Sequence, residues 1–122
     1  FGDLFLADLR TYRERNLERV GMSALFPIWR RDTRELATTF LKFGFQAIAV
    51  CVDSSKLDAS FAGRLFNASF LADLPATVDP CGENGEFHTF VFDGPHFHTP
   101  VSIIAGEVVT RDGFIFCDLV PA

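Results

Sequence analysis

Apolar and polar positions in the first part of the chain alternate between helical and strand patterns. Apolar side chains recur at helical spacing over residues 4–20, with Asp3 in position to cap the start and Gly21 just past the end. This pattern predicts a helix. The short apolar run at 24–28 predicts a buried strand after it.

A second helix and a second strand are predicted next. Residues 32–35 have the spacing of a capping box, and Gly44 lies where the helix would end. The run 47–52 is apolar without alternation, which is typical of a strand covered on both faces. Strand, helix and strand in this order predict a right-handed parallel crossover. We therefore interpret residues 1–53 as the C-terminal end of a doubly wound, Rossmann-like parallel α/β sheet.

The second half of the chain has a different pattern. Asn67 can cap a short helix that Pro75 stops, and residues 87–92 form a predicted strand. The Arg111-Asp112-Gly113 turn, between two apolar runs, predicts a β-hairpin. Residues 54–122 are thus predicted to be a mixed α+β, substrate-side portion that ends in a hairpin.

Composition narrows the classes of function. The chain has 122 residues, of which 48% are hydrophobic and 15 are Phe, so one domain with a packed core is expected. The net charge is −5 and no basic stripe is present, which argues against a nucleic-acid partner. No apolar run approaches the roughly 20 residues that span a bilayer. Three cysteines without a CxxC motif favour a reduced, cytoplasmic protein.

The densest polar cluster lies at residues 79–89. Gly82 and Gly85 allow sharp turns, while Glu83, Glu86 and His88 supply charge and hydrogen-bonding groups. In a strand, Glu86 and His88 would share a face. Such a set can bind a cation, position ammonia or hold a metal. The alternative is an ordinary polar loop that leads into a strand.

This segment also resembles a known family. Residues 81–91, followed by Asp93, Pro95 and Phe97, resemble the Gly-Glu-x-Gly-Glu-Phe-x-Thr motif and the Asp-x-Pro-x-Phe continuation of the diphthine–ammonia ligase family. Residues 2–14 resemble the family's Gly-Asp-Ile segment with its arginine-bearing helix, and residues 26–33 its Pro-Leu-Trp segment. The form of the motif at 81–89 is similar to that of bacterial members.

The resemblance implies an activity for the full-length protein. The family belongs to the PP-loop ATP pyrophosphatases, which are Rossmann-like and related to the adenine nucleotide alpha hydrolases. Its members use ATP, with Mg²⁺, to adenylate a carboxylate, and ammonia then displaces AMP to form an amide. The eukaryotic and archaeal substrate is diphthine, a modified histidine of elongation factor 2. A bacterial-type member implies another carboxylate, on a small molecule or a modified protein.

The resemblance also assigns residues. The expected substrate-binding residues are Gly82, Glu83, Asn84, Gly85, Glu86, His88 and Thr89. Gly2 and Asp3 are candidates on the nucleotide side, and no catalytic residue is assigned. The family's Ser-Gly-Gly-x-Asp-Ser fingerprint is not in these residues, so we expect a nucleotide-binding segment upstream of Phe1. By itself, the fragment should be inactive.

Two alternatives from other classes remain open. The first is a metal- or ligand-binding β domain, although we expect no metal; its residues would be Cys81, Glu86, His88, His96 and His98. The second is an oligomerisation domain that self-associates through a Phe-rich surface. Arg10 and Arg13 can either reach phosphates or pair with acidic neighbours on their helix.

Overall fold

The computed structural model describes all residues, Phe1–Ala122, and divides into two compact units, Phe1–Thr33 and Arg34–Ala122. The division therefore falls between residues 33 and 34. The division of roles at residue 53 stays a prediction. No helix of the chain combines the length and apolar character that a membrane span requires.

The first unit contains one helix, α1 (Ala7–Glu18), which confirms the predicted helix with shorter bounds. Gly21 follows it with φ of 71°, and the N–H groups of Gly21 and Met22 donate to the carbonyls of Glu18 and Leu17. These two bonds form the Schellman arrangement that a glycine at this position permits. Leu6, and not Asp3, occupies the N-cap position.

The predicted strand at 24–28 is wrong, because residues 22–26 have no regular secondary structure and turns occupy residues 27–30. Pro27 has no N–H to donate to a sheet. The neighbouring aromatic rings pack on each other instead, with ring centroids 5.7 Å apart for Phe1 and Phe26 and 6.2 Å apart for Phe26 and Trp29. The guanidinium of Arg10 lies over Phe26 and Trp29, at 4.4 and 4.8 Å from their ring centroids. Stacking and cation–π contacts thus replace burial in a sheet.

The second unit contains two helices, a short 3₁₀ turn and five strands, and its first helix begins at Thr33, the last residue of the first unit. In chain order these are α2 (Thr33–Lys42), β1 (Gln46–Asp53), the 3₁₀ turn (Ala59–Phe61), β2 (Leu65–Phe66), α3 (Ala68–Asp73), β3 (Phe87–Asp93), β4 (Ile103–Arg111) and β5 (Phe114–Pro121). The Asn67 side chain accepts from the N–H of Phe70, as the predicted cap of α3 requires. Asp112 and Gly113 have φ of 51° and 82°, which is the type I′ geometry of a two-residue hairpin.

Strand β1 is the centre of a five-stranded antiparallel sheet. It pairs with β3 along one edge, and with β2 and then β5 along the other, while β4 pairs with β5. The predicted parallel crossover is therefore wrong, since every pair in this sheet is antiparallel. The strand is buried on both faces as its sequence predicts, but a continuous apolar run does not determine the direction of its neighbours.

One face of the sheet carries an aromatic core. Phe70 has its ring centroid 5.1 Å from that of Phe61, 5.2 Å from that of Phe66 and 5.2 Å from that of Phe87. Burying several large rings in one cluster supplies much of the hydrophobic stabilisation that a small unit needs. Other Phe side chains are exposed, among them Phe90 and Phe114, and self-association stays a prediction.

The C-terminal end of β1 is a junction. The N–H of Asp53 donates to the carbonyl of Glu86, just before β3, and the next N–H, that of Ser54, donates to the carbonyl of Gly113 in the β4–β5 turn. Successive N–H groups of an extended chain point in opposite directions. The end of β1 therefore bonds to the segment before β3 on one side and to the β4–β5 turn on the other. This junction places residues 79–86 beside the turn that follows β1.

Candidate functional site

The acidic-glycine loop, defined here as residues 79–86, connects the region after α3 to β3. It bends at Gly82 and Gly85, whose φ values are 63° and 78°. The N–H of Gly82 donates to the carbonyl of Asp79, and the N–H of Gly85 to that of Gly82. A Cβ at Gly82 would lie 2.6 Å from the carbonyl oxygen of Phe87, whereas a Cβ at Gly85 meets open space. Gly82 is therefore required both for its φ and for close backbone packing.

Glu86 fixes the shape of this loop from inside. Its side chain is almost fully buried, at 2% exposed. Its Oε2 accepts from the N–H of Asp79 at 2.6 Å, and its Oε1 accepts from the N–H of Asn84 at 2.8 Å. Hydrogen bonds to a buried carboxylate are among the stronger ones in proteins, so Glu86 ties the two ends of the loop together.

Asp79 supports the first half of the loop in the same way. Its Oδ2 accepts from the N–H of Cys81 at 2.9 Å and from the N–H of Glu83 at 3.2 Å. Two carboxylates thus hold four backbone N–H groups of one short segment. These hydrogen bonds hold the loop in one conformation, as a rigid wall. The carboxylates of Asp79 and Glu86 accept them, so these acidic side chains are structural.

A polar cavity of about 320 Å³ opens against this wall, lined by Ser55, Lys56, Thr77, Asn84 and Glu86. Lys56 reaches across from the turn after β1, and its Nζ donates to the carbonyl of Asn84 at 2.7 Å. The same Nζ lies 3.8 Å from the Oδ2 of Asp53. Two segments far apart in sequence thus form one cavity with a lysine ammonium at its edge.

Asp53 is held by its own turn. Its Oδ1 accepts from the hydroxyl of Ser55 at 2.6 Å and from the N–H of Ser55 at 3.0 Å. These hydrogen bonds, first that from the hydroxyl, lower the pKa of Asp53, and Lys56 adds a smaller contribution in the same direction. Asp53 is therefore ionised at neutral pH and orders the turn that carries Lys56.

His88 and Thr89 do not line the polar cavity. His88 pairs with Cys51 across β3 and β1 and lines a shallow, mainly apolar groove of about 540 Å³ together with Phe114 and Phe116. Thr89, the next residue of the strand, points to the opposite face. The predicted sharing of one site by Glu86 and His88 is not found, because they line different cavities.

The two buried thiols belong to the sheet. Cys51 and Cys117 are buried, and burial is the main cause that raises the pKa of each, with the charges of Asp53 and Asp118 adding to it. Both cysteines lie in apolar strands, as their sequence context predicts. Their raised pKa values keep them protonated and poor nucleophiles at neutral pH.

The histidines do not support the metal-binding alternative. No three His, Cys, Asp or Glu side chains come together in a way that could hold an ion. His96 and His98 are exposed, and the His96 ring lies edge-on to Phe45, with ring centroids 6.2 Å apart. Glu86, the carboxylate proposed for such a site, has both oxygens engaged with backbone N–H groups.

The candidates in the first unit are held by contacts within that unit. Asp3 is buried, and its Oδ2 accepts from the Nε of Arg13 at 2.7 Å. Arg10 pairs with Glu14 at 2.9 Å in addition to its cation–π contacts. Arg10 therefore pairs with an acidic neighbour on its helix, as one of the two alternatives required, whereas Arg13 pairs with Asp3, which precedes the helix. A nucleotide role for Gly2 and Asp3 stays a prediction.

Sequence reasoning missed Lys56, Ser55 and Thr77. The only local signal was Asp-Ser-Ser-Lys directly after an apolar strand, where turns commonly carry functional side chains. The approach of Lys56 to Asn84 depends on the pairing of β1 with β3, which the residues alone did not specify.

Comparison with known proteins defines the class to which this fold and loop belong. The model of the diphthamide synthase C-terminal domain family matches residues 32–119, so the chain belongs to that family. The acidic-glycine loop and all five strands begin within the matched range.

The particular relatives are diphthine–ammonia ligases. The chain is 29% identical over 117 residues to the one from Bos taurus, covering 91% of this chain and 44% of the relative. It is 32% identical over 117 residues to that of Danio rerio, covering 91% and 46%. For the relative from Schizosaccharomyces pombe, the identity is 28% over 123 residues, covering 93% and 20%. The chain thus spans less than half the length of each of these ligases.

Proposed function

We propose that this chain is the substrate-side part of an ATP-dependent ligase that adenylates a carboxylate and amidates it with ammonia. The observation that carries the proposal is the acidic-glycine loop, which is held rigid by buried Glu86 and forms one wall of a polar cavity. Membership of the diphthamide synthase C-terminal domain family, and relatives named as diphthine–ammonia ligases, support the proposal.

In the proposed reaction, a carboxylate oxygen of the substrate attacks the α-phosphorus of ATP and pyrophosphate leaves. Ammonia then attacks the acyl carbon and AMP leaves with the C–O bonding electrons. The contribution of this chain is to bind and orient the carboxylate substrate. A fixed wall helps because correct placement of reacting groups lowers the barrier without further reorganisation.

ATP and Mg²⁺ are proposed to bind outside these residues, in a Rossmann-like PP-loop segment of the full-length protein. The described residues contain no glycine-rich phosphate loop, and the carboxylate of Asp3 is buried against Arg13. We further propose that the protein is cytoplasmic and of bacterial type, and that its substrate is a carboxylate other than diphthine.

The test is ATP-dependent pyrophosphate release by the full-length protein with ammonium and a panel of carboxylates, including diphthine-bearing elongation factor 2. We expect one substrate to give equal amounts of pyrophosphate, AMP and amide. Omitting ammonium is the control, and it should stop amide formation. A full-length protein without the Ser-Gly-Gly-x-Asp-Ser segment, or without pyrophosphate release for any carboxylate, would contradict the proposal.

A further inference from the structure

Lys56 is the basic group of the polar cavity, and its hydrogen-bonding capacity is only partly used. An ammonium carries three donors. One N–H of Lys56 is directed to the carbonyl of Asn84 at 2.7 Å, while the Oδ2 of Asp53 lies 3.8 Å away, beyond hydrogen-bond distance. The side chain is 45% exposed. Lys56 can therefore donate to a ligand in the cavity without giving up its bond to the loop.

The carboxylates around the cavity, unlike Lys56, already have hydrogen-bond partners in their own segments. Both oxygens of Glu86 accept from backbone N–H groups, and the Oδ1 of Asp53 accepts two hydrogen bonds from Ser55. Each of these acids is stabilised by donors from its own loop or turn. Lys56 forms an ion pair with Asp53 at 3.8 Å, but its ammonium hydrogen-bonds only to Asn84, so an anionic oxygen on the Lys56 side of the cavity can accept one of its remaining N–H donors.

The position of Lys56 is fixed from two directions. The backbone N–H of Lys56 and that of Leu57 both donate to the carbonyl of Asp53, and Leu57 is buried at 3% exposure. On the other side, Asn84 is held by Glu86 through its backbone N–H. A lysine on a fixed turn that contacts a fixed loop loses less side-chain entropy on binding a ligand than a free surface lysine does.

We propose that Lys56 is a substrate-binding residue whose ammonium holds the carboxylate of the substrate against the acidic-glycine loop. The link to catalysis rests on the proposed ligase function, whereas anion binding at Lys56 does not. This differs from the expectation from the sequence, in which Glu83, Glu86 and His88 were to bind a cation, position ammonia or hold a metal. The carboxylates organise the wall, and the lysine recognises the ligand.

The first experiment follows the ammonium groups of Lys42 and Lys56, the two lysines of these residues. In full-length protein with ¹⁵N-labelled lysine side chains, the Lys42→Arg and Lys56→Arg variants identify the two Nζ signals, and butyrate is titrated while both signals are followed by NMR. We expect the Lys56 signal to move and saturate, the Lys42 signal to stay, and neutral butyramide to move neither. An unmoved Lys56 signal, or equal shifts of both lysines, overturns the proposal.

The second experiment measures kcat and KM for pyrophosphate release by full-length Lys56→Gln, Lys56→Arg and Lys42→Gln proteins. A charge-assisted contact predicts that Lys56→Gln lowers kcat/KM about ten- to a hundredfold, mainly through KM, with partial recovery in Lys56→Arg and no change in Lys42→Gln. Both Lys56 variants should retain wild-type circular dichroism. A purely structural role would instead lower the stability of Lys56→Gln protein and leave KM no better in Lys56→Arg than in Lys56→Gln, and that outcome overturns the proposal.

The two proposals fail in different ways. If wild-type protein releases no pyrophosphate with any carboxylate, the proposed ligase function is wrong. The butyrate titration still decides whether Lys56 binds an anion. If Lys56→Gln protein turns over like wild type, Lys56 has no role in the reaction, and the proposed ligase function is unaffected.

Discussion

The Oε2 of Glu86 lies 2.6 Å from the backbone nitrogen of Asp79, and this hydrogen bond closes the acidic-glycine loop at the point where β3 begins. The other oxygen, Oε1, holds the N–H of Asn84 inside the loop. One buried side chain therefore determines where the loop begins and how its tip is placed. Glu86, one of the residues expected to bind substrate, thus acts on the backbone of its own segment.

Replacing Glu86 by Gln should destabilise the protein. The amide NH₂ of Gln would face one of the two backbone N–H donors, those of Asp79 and Asn84. The substitution would also remove the negative charge that both donors now contact. The free energy of unfolding should therefore fall by about 1.5–3 kcal/mol. Urea denaturation measures this change. Glu107→Gln, on the exposed face of β4, is the matched control and should lie within about 0.5 kcal/mol of wild type. Equal stability of both variants would show that Glu86 does not anchor the loop.

Alanine at Gly82 should cost more stability than alanine at Gly85. Both glycines have positive φ, which alone costs a non-glycine residue about 1–2 kcal/mol. At Gly82 the new Cβ would also lie 2.6 Å from the carbonyl oxygen of Phe87, so the backbone of β3 must shift as well. Chemical denaturation of Gly82→Ala and Gly85→Ala gives the comparison directly. The reverse ranking, or equal losses, would contradict the packing described for the loop.

The stability should depend on pH through Asp53. The hydrogen bonds from Ser55 lower its folded pKa below the ordinary value of 3.8, so the folded state binds its proton less readily than the unfolded state does. The contribution is fully present above the unfolded pKa and is lost as the pH falls through the folded pKa. Between pH 7 and pH 3, wild-type protein should therefore lose more stability than Ser55→Ala protein. If the stabilities of the two proteins fall equally with pH, the hydrogen bonds from Ser55 to Asp53 do not contribute to the pH dependence.

The three thiols should react in a defined order. Cys51 and Cys117 are buried and have raised pKa values, whereas Cys81 is only partly buried in the acidic-glycine loop. Since the thiolate is the reactive form and access is required, iodoacetamide should label Cys81 first in the folded protein. Peptide mapping by mass spectrometry measures the three rates, and the same reaction in urea is the control, in which the differences should shrink. Faster labelling of Cys51 or Cys117 under native conditions would be inconsistent with their burial.

The sequence predicted local structure better than it predicted the arrangement of the sheet. Residues 47–52 were recognised as a strand covered on both faces, and the caps at Asn67 and the Asp112-Gly113 turn were confirmed because each depends on a few adjacent residues. The direction of the strand partners was wrong. A buried strand is apolar whether its neighbours are parallel or antiparallel, and the apolar run at 24–28, which suggested a parallel partner, packs as an aromatic cluster with Arg10.

Substrate binding by residues 82–89 stays a prediction, and the structural roles of these residues were not deduced from the sequence. The resemblance and the glycine spacing both indicated residues 79–89. They gave no sign that Glu86 would be bound by N–H groups of its own loop, because such bonds depend on the fold of the turn. Lys56 was missed because it contacts Asn84 only after β1 and β3 have paired.

The junction at the end of β1 makes this short region sensitive to chain length. The N–H of Asp53 donates to the carbonyl of Glu86, which anchors the acidic-glycine loop. The next N–H, that of Ser54, donates on the opposite side to the β4–β5 turn. Inserting or deleting one residue here would redirect each donor to the wrong neighbour and carry Lys56 away from Asn84. Substitutions that keep the strand apolar should be tolerated more readily than such a change. The spacing from β1 to Lys56 is therefore a property that relatives sharing this cavity must preserve.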